Sequence, residues 1–368
     1  MKDNRKIKVG ITHGDINGIG YEVILKALED TRMTELCTPV IYGSAKIAAY
    51  YRKGCDLPPV NMAIINDPSA ARDGEVSIIN VVPEDTRIEP GVASKVAGEA
   101  AFIALERAVA DLRNGGIDVL VTAPINKDSI QSDTFRFPGH TEYLEASVGD
   151  GDKSLMVLCS DSLRVALVTA HLPIAKVSGA ITREAIVEKL TIFDKSLKSD
   201  FARYTPRIAV LALNPHAGEN GLLGKEEQEV ISPAIEEARK AGILAFGPYA
   251  ADGFFGSEAY LKFDGVLAMY HDQGLAPFKT IAMESGVNFT AGLPYVRTSP
   301  DHGTGFDIAG KGEASAESMR EAIYMAIDVY RNRNDYSHAY RNPLRKQYFE
   351  KGKDNVVLDL SKDDSDHD

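Results

Sequence analysis

Three of the eight histidines in this 368-residue chain stand at the tails of apolar runs. The runs are Arg164 to Ala170 before His171, Ile208 to Pro215 before His216, and Gly265 to Tyr270 before His271. Imidazoles drawn from separate strand ends can converge on one divalent cation and leave coordination positions open, as a catalytic metal requires. A carboxylate beside such a centre accepts the proton of an alcohol or orients a ligand imidazole. Asp272, adjacent to His271, and Asp252, in the loop Tyr249 to Asp252, are the candidates. Singly, each Asp also suits a turn or cap, and each histidine a loop hydrogen bond. Three histidines in matching positions favour a metal site.

A second set of residues suits an anion. Phe137 to Leu144 (FPGHTEYL) puts turn formers before a helix start, with Thr141 as the expected N-cap and free amides behind it. His140 can donate to the same anion. Lys279, Asn288 and Arg297 add donors and positive charge downstream. The turn Pro300 to Gly312 carries Gly303, Gly305, Gly310 and Gly312 with Asp307 among them. Such a run suits close approach to a flat or phosphorylated ligand, or a silent Ω-loop. Gly14 to Gly20 spaces its glycines as GxxxGxG between a strand and a helix. That loop reads equally as an anion cradle or as a tight strand-to-helix turn.

The elements that must hold these residues alternate. Ile7 to Thr12, Pro39 to Tyr42, Val119 to Ala123 and runs beginning near Ser154, Arg164, Ile208 and Gly265 read as buried strands. Helical spacing covers Tyr21 to Glu29, Ala45 to Arg52, Val96 to Arg113, Arg183 to Leu197, Lys225 to Ala241 and Glu317 to Arg333. This alternation predicts an α/β fold with a mainly parallel sheet, whose carboxyl edge is where ligands bind. Leu172-Pro173, Ala217-Gly218 and Asp272-Gln273-Gly274 are expected to turn the chain after the histidine strands. The expected division has residues 1–128 and 285–360 in one lobe, 129–284 in a middle lobe, and a disordered tail at 361–368.

Hydrophobic residues at 44% and charged residues at 26% fit a soluble globular protein. A net charge of -12 and a pI near 5.2 argue against nucleic acid or anionic membrane as partners. The widely spaced Cys37, Cys55 and Cys159 fit a reducing cytoplasm, and the strand pattern beginning within MKDNRKIKVGIT leaves no room for a signal peptide. No run approaches the length of a membrane helix.

The segments GDINGIGYE, PINKDS, GHTEYL, VTAHLP, LNPHAGE, GPYAAD, YHDQGLAPFK, GLPYVRTSPDHGT and FDIAGKG together resemble the 4-hydroxythreonine-4-phosphate dehydrogenase family of pyridoxal phosphate biosynthesis. The last is also similar to a cofactor loop of isocitrate and isopropylmalate dehydrogenases. The resemblance implies two α/β/α lobes with a cleft, isopropylmalate dehydrogenase-like, and a homodimer whose subunits share each active site. It implies that His171, His216 and His271 bind one divalent cation (zinc, magnesium or cobalt). His140, Thr141, Lys279, Asn288 and Arg297 would bind a phosphorylated hydroxy acid, and His302, Gly303, Thr304, Asp307, Ile308 and Ala309 would lie along NAD or NADP. Ile16, Asn17, Tyr21 and Gly305 depart from the family's usual residues, which bears on loop stiffness and cofactor fit.

The implied reaction is oxidation of 4-phosphohydroxy-L-threonine at its secondary alcohol, followed by loss of carbon dioxide, with Asp272 or Asp252 as base or orienter. Three rivals stand beside it. They are a sister activity on 4-phospho-D-threonate or 4-phospho-D-erythronate, acyl transfer to phosphate, and a phosphometabolite-binding sensor.

Overall fold

A computed structural model describes residues 5–341. Residues of the expected N/C-terminal lobe beyond 341, and the expected tail at 361–368, lie outside the described residues. One sheet runs through the molecule. Its strands are β1 (Ile7–Thr12), β2 (Cys37–Gly43), β3 (Met62–Ile65), β4 (Val76–Asn80), β5 (Val119–Thr122), β6 (Leu155–Cys159), β7 (Arg164–Leu167), β8 (Arg207–Leu211), β9 (Leu244–Tyr249), β10 (Gly265–Ala268), β11 (Val287–Ala291) and β12 (Val296–Pro300). The spatial order is β3-β4-β2-β1-β5-β12-β11-β6-β7-β10-β8-β9.

Pairing is parallel except where β11 meets β12 and β6, and where β6 meets β7. At the sheet's centre β11 is thus reversed against both of its neighbours, and with the antiparallel contact of β6 and β7 the parallel flank β7-β10-β8-β9 runs opposite to the parallel flank β3-β4-β2-β1-β5-β12. This is the α/β, mainly parallel architecture expected from the alternation of elements. Strands β2, β5 and β10 are buried at every position, as sheets covered on both faces require.

The helices begin where side chains satisfy their free amides. Ser44 accepts from Ile47 N, Ser94 from Ala97 N and Thr182 from Ala185 N, opening the helices Ala45–Gly54, Lys95–Arg113 and Arg183–Ser199. The long helix Lys95–Arg113 buries a face of small residues, including Ala97, Ala100, Ala104 and Ala108, so its axis lies close to β1, β2 and β5. No helix among the described residues is long and apolar enough to cross a membrane.

Two local expectations are corrected. The residues Asp272-Gln273-Gly274 do not turn the chain; His271 opens the helix His271–Ala282 and they form its first turn. Gln273 makes that possible by accepting from Met269 N and donating to Ala212 O, which splices the strand end onto the helix. Thr141 is not an N-cap. The helix His140–Val148 is preceded by Gly139, and no side chain caps it.

Candidate active site

The sheet positions the site at the carboxyl end of β5, beside the reversed strand. A cavity of about 260 Å³ there is lined by Thr122, Lys127, His140, Thr141, Glu142, His171, Asn288, Arg297, Asp301, His302 and neighbouring backbone. Arg297 lies on β12 opposite Leu120, and Asn288 on β11 opposite Leu158 and Ser299, so the hairpin carries both into one space.

Arg297 is 4% exposed and forms no ion pair among the described residues. Its Nε and Nη2 donate to Thr122 Oγ1, its Nη1 to Thr290 Oγ1, and its Nη2 also to His140 Nδ1. Burial pushes the guanidinium down to about 9, with the Glu142 carboxylate opposing the shift. His140 is held well below the usual imidazole range, first by burial and then by the charges of Arg297 and Lys127. The ring is therefore neutral, and because Nδ1 accepts from Arg297, its proton resides on Nε2. That Nε2 is buried and has no partner, as is Asn288 Oδ1. A buried cation and an unmatched donor on one wall constitute a site for an anion.

The far wall carries His171. Its Nε2 accepts from Lys127 Nζ at 3.4 Å, so its proton resides on Nδ1, which lies 3.6 Å from Glu142 Oε1. The contact with His171 holds the Glu142 carboxyl below its ordinary range. Lys127 and Glu142 are the residues that sequence reasoning missed, although each lies in a motif it singled out: PINKDS and GHTEYL.

His271 stands close by, with its ring centroid 6.1 Å from that of His171. Its Nδ1 donates to Asp272 Oδ1 at 2.8 Å. Both rings thus turn Nδ1 to a carboxylate, which leaves Nε2 as the nitrogen for a cation.

His216 is elsewhere. It lines a neighbouring cavity of about 490 Å³ with Asn214, Asp252, Phe255, Tyr270 and Gln273. Among the described residues no three His, Cys, Asp or Glu side chains are grouped to hold a metal ion. Within this chain His171 and His271 are therefore neighbours, and His216 stands apart from them. The chain path accounts for this: β7, β8 and β10 stop at Leu167, Leu211 and Ala268, His171 and His216 lie in the connections beyond, and His271 opens the helix that follows β10. His216 then enters a left-handed turn, with φ between 43° and 76° from His216 through Asn220. Each non-glycine residue in that conformation costs about 1–2 kcal/mol, a strain typical of functional loops.

Lys279 does not line the anion cavity. Its Nζ donates to Asp301 O at 2.9 Å and lies 3.3 Å from Asp301 Oδ2. Burial raises the Asp301 carboxyl, with Lys279 opposing the shift. His302 and Gly303 reach the cavity rim, and His302 Nε2 is buried and unpartnered. Thr304, Asp307, Ile308 and Ala309 lie in the turn beyond, which packs on the loop Gly14 to Gly20.

That packing decides the role of the glycine loop. Asp15 N donates to Pro124 O, Asn17 N to Asp15 Oδ1, Gly18 N to Asp15 O and Ile19 N to Thr304 O. These four amides are committed to acceptors of the protein, which favours the tight turn over the anion cradle. A Cβ on Gly18 would sit 2.6 Å from Thr304 O, which is why the two loops can touch.

The chain is similar to known proteins in sequence and in fold. Residues 35–326 match the family described as pyridoxal phosphate biosynthetic protein PdxA. A 4-hydroxythreonine-4-phosphate dehydrogenase of Bacteroides thetaiotaomicron is 58% identical over 366 residues, covering 100% of both chains. The crystal structure of the Klebsiella pneumoniae 4-hydroxythreonine-4-phosphate dehydrogenase superposes with a TM-score of 0.77 at 35% identity, over 90% of this chain and 99% of that one. The Burkholderia phymatum enzyme gives 0.72 at 37% identity, over 89% and 99%.

Proposed function

Because the chain belongs to the PdxA family of pyridoxal phosphate biosynthetic proteins, we propose that it is a dehydrogenase of 4-phosphohydroxy-L-threonine. The secondary alcohol is oxidised with NAD or NADP as hydride acceptor. The product, 2-amino-3-oxo-4-phosphooxybutanoate, loses carbon dioxide to give 3-amino-2-oxopropyl phosphate. The observation that carries this reading is the buried pair Arg297–His140. It offers a guanidinium without a carboxylate partner and a free Nε2–H to an anionic substrate, beside the histidines of a cation site.

The chain's own groups supply the following steps. Arg297 and His140 hold one anionic end of the substrate, and Thr141 and Asn288 lie on the same wall. Lys127 adds a second positive charge within the cavity, and Lys279 acts through Asp301 at its rim. Glu142 and Asp272 orient His171 and His271. Asp252 lies beside His216 and stays with it, so in a site shared between subunits it is the candidate base.

The donor set fits a divalent cation. Two imidazoles present Nε2, and a Lys127 ammonium already rests against one of them. The third ligand would be His216 of the partner subunit, which makes a homodimer the working unit and each site shared. Such a cation (zinc, cobalt or magnesium) supplies Lewis acidity toward the substrate hydroxyl when bound. His302 to Ala309 would follow the cofactor, whose nicotinamide accepts the hydride. Among the described residues, 5–128 with 285–341 would form the cofactor-side lobe, and 129–284 the lobe of metal and dimer contacts. The buried free thiols of Cys37, Cys55 and Cys159 favour the cytoplasm.

The test is direct. Purified protein, NAD or NADP, a divalent metal and 4-phosphohydroxy-L-threonine are mixed, and reduced cofactor is followed by absorbance. Turnover that a chelator abolishes is expected. Faster turnover of 4-phospho-D-threonate or 4-phospho-D-erythronate would instead establish the sister activity.

A further inference from the structure

The turn that carries His216 is built on a carboxylate outside the site. Glu227 is 3% exposed, in a π-helical turn, Glu227–Ile231, that leads into the helix Ser232–Lys240. Its Oε1 accepts from Leu213 N at 2.9 Å and Asn214 N at 2.7 Å, and its Oε2 accepts from Asn214 Nδ2 at 3.0 Å. Glu226 adds a second hold on Asn214 Nδ2 and accepts from Ser178 Oγ. The left-handed run follows at once. Gly218 in its centre has no room for a Cβ, which would meet Glu227 Oε2 at 2.6 Å. One buried carboxylate therefore grips the chain just before His216 and underlies the turn just after it.

We propose that Glu227 is a positioning residue for His216. By consuming the amides of Leu213 and Asn214, it stops those residues from extending β8. The chain then has to leave the strand in the left-handed direction, and this fixes where the imidazole points. The π-turn is part of the device: an extra residue in the helix brings two successive glutamates, Glu226 and Glu227, onto the same asparagine. This inference rests on the reading of His216 as a metal ligand.

The test uses the full chain with cobalt(II) alone as probe, read by the visible absorption of the bound ion, with a thermal melt of each variant. Glu227→Met keeps the volume and loses the acceptor. It is expected to weaken cobalt binding roughly 10–100-fold and to change the spectrum of what remains bound. Glu227→Gln keeps an acceptor oxygen for the two amides and is expected to remain within about threefold of wild type. A lowered melting temperature in Glu227→Met with cobalt affinity and spectrum intact would mean a purely structural role and overturn the proposal. Should Glu227→Met not fold, Asn214→Ala removes one arm of the clamp without touching the carboxylate. Several-fold weaker binding is expected there, and unchanged binding overturns the proposal. His216→Ala separates the two layers. If it leaves cobalt affinity intact, the ligand reading fails and takes this inference with it. If it weakens binding while Glu227→Met does not, the positioning role alone fails.

Discussion

Arg297 donates a hydrogen bond from Nη2 to His140 Nδ1 across 3.1 Å, although 157 positions separate the two residues. The contact assigns the imidazole proton to Nε2, and among the described residues no carboxylate pairs directly with the guanidinium. An anion is the partner that both groups lack.

Replacing Arg297 with Met should lower kcat/KM by about 10²–10³, mostly through KM, because a buried charge-assisted contact is worth a few kcal/mol. The fold should tolerate the change, since an uncompensated buried charge is exchanged for an apolar chain of similar length. Steady-state kinetics and a thermal melt check both halves. A large fall in melting temperature with unchanged KM would contradict the assignment.

Glu142→Gln should reduce metal affinity roughly 10–100-fold while leaving the fold intact, because the Nδ1 of His171 loses its carboxylate partner. Asp272→Asn should do the same through His271. Equilibrium titration with a divalent metal distinguishes this from a loss of substrate binding, which both variants should retain.

His13 offers a test of pH dependence. It is fully buried and stacks on Tyr21 at 5.3 Å, with the backbone of Gly14 and Ala100 close to its ring. Burial holds it down to about 4 from 6.5. The unfolded chain therefore binds the proton more readily, so this contribution is complete above pH 6.5 and is lost as pH falls toward 4. The sum is on the order of 3 kcal/mol. Chemical denaturation at pH 7 and pH 5 should show the loss, and His13→Phe should make it shallower. An equal slope in that variant would exclude His13 as the source.

Gly18→Ala should push the turn around Thr304 away from the loop Gly14 to Gly20, since the new Cβ would lie 2.6 Å from Thr304 O. The expected result is a KM for NAD or NADP raised severalfold with little change in that for the phosphorylated substrate. The reverse pattern would mean that the turn serves the substrate instead.

The boundaries of the early elements were legible from local pattern. The strand Ile7–Thr12 and the helix beginning near Lys95 lie where the apolar run and the helical spacing put them. The short strands Met62–Ile65 and Val76–Asn80 were not, because each is brief and β3 lies at the sheet edge, where few apolar positions are demanded. The first turn of the helix at His271 was misread, since Asp-Gln-Gly is turn-like until Gln273 finds Met269 and Ala212.

By itself the sequence determined that the chain alternates strand and helix and that His171, His216 and His271 follow strand ends. These are consequences of side-chain periodicity and residue chemistry, which act over a few positions. Tertiary packing alone decided that Arg297 meets His140, that Lys127 and Glu142 flank His171, and that His216 turns into a separate cavity. It also decided that the glycine loop spends its amides on Asp15, Pro124 and Thr304. Each of those outcomes depends on which distant backbone or side chain supplies a hydrogen-bond partner, and no local pattern encodes that choice.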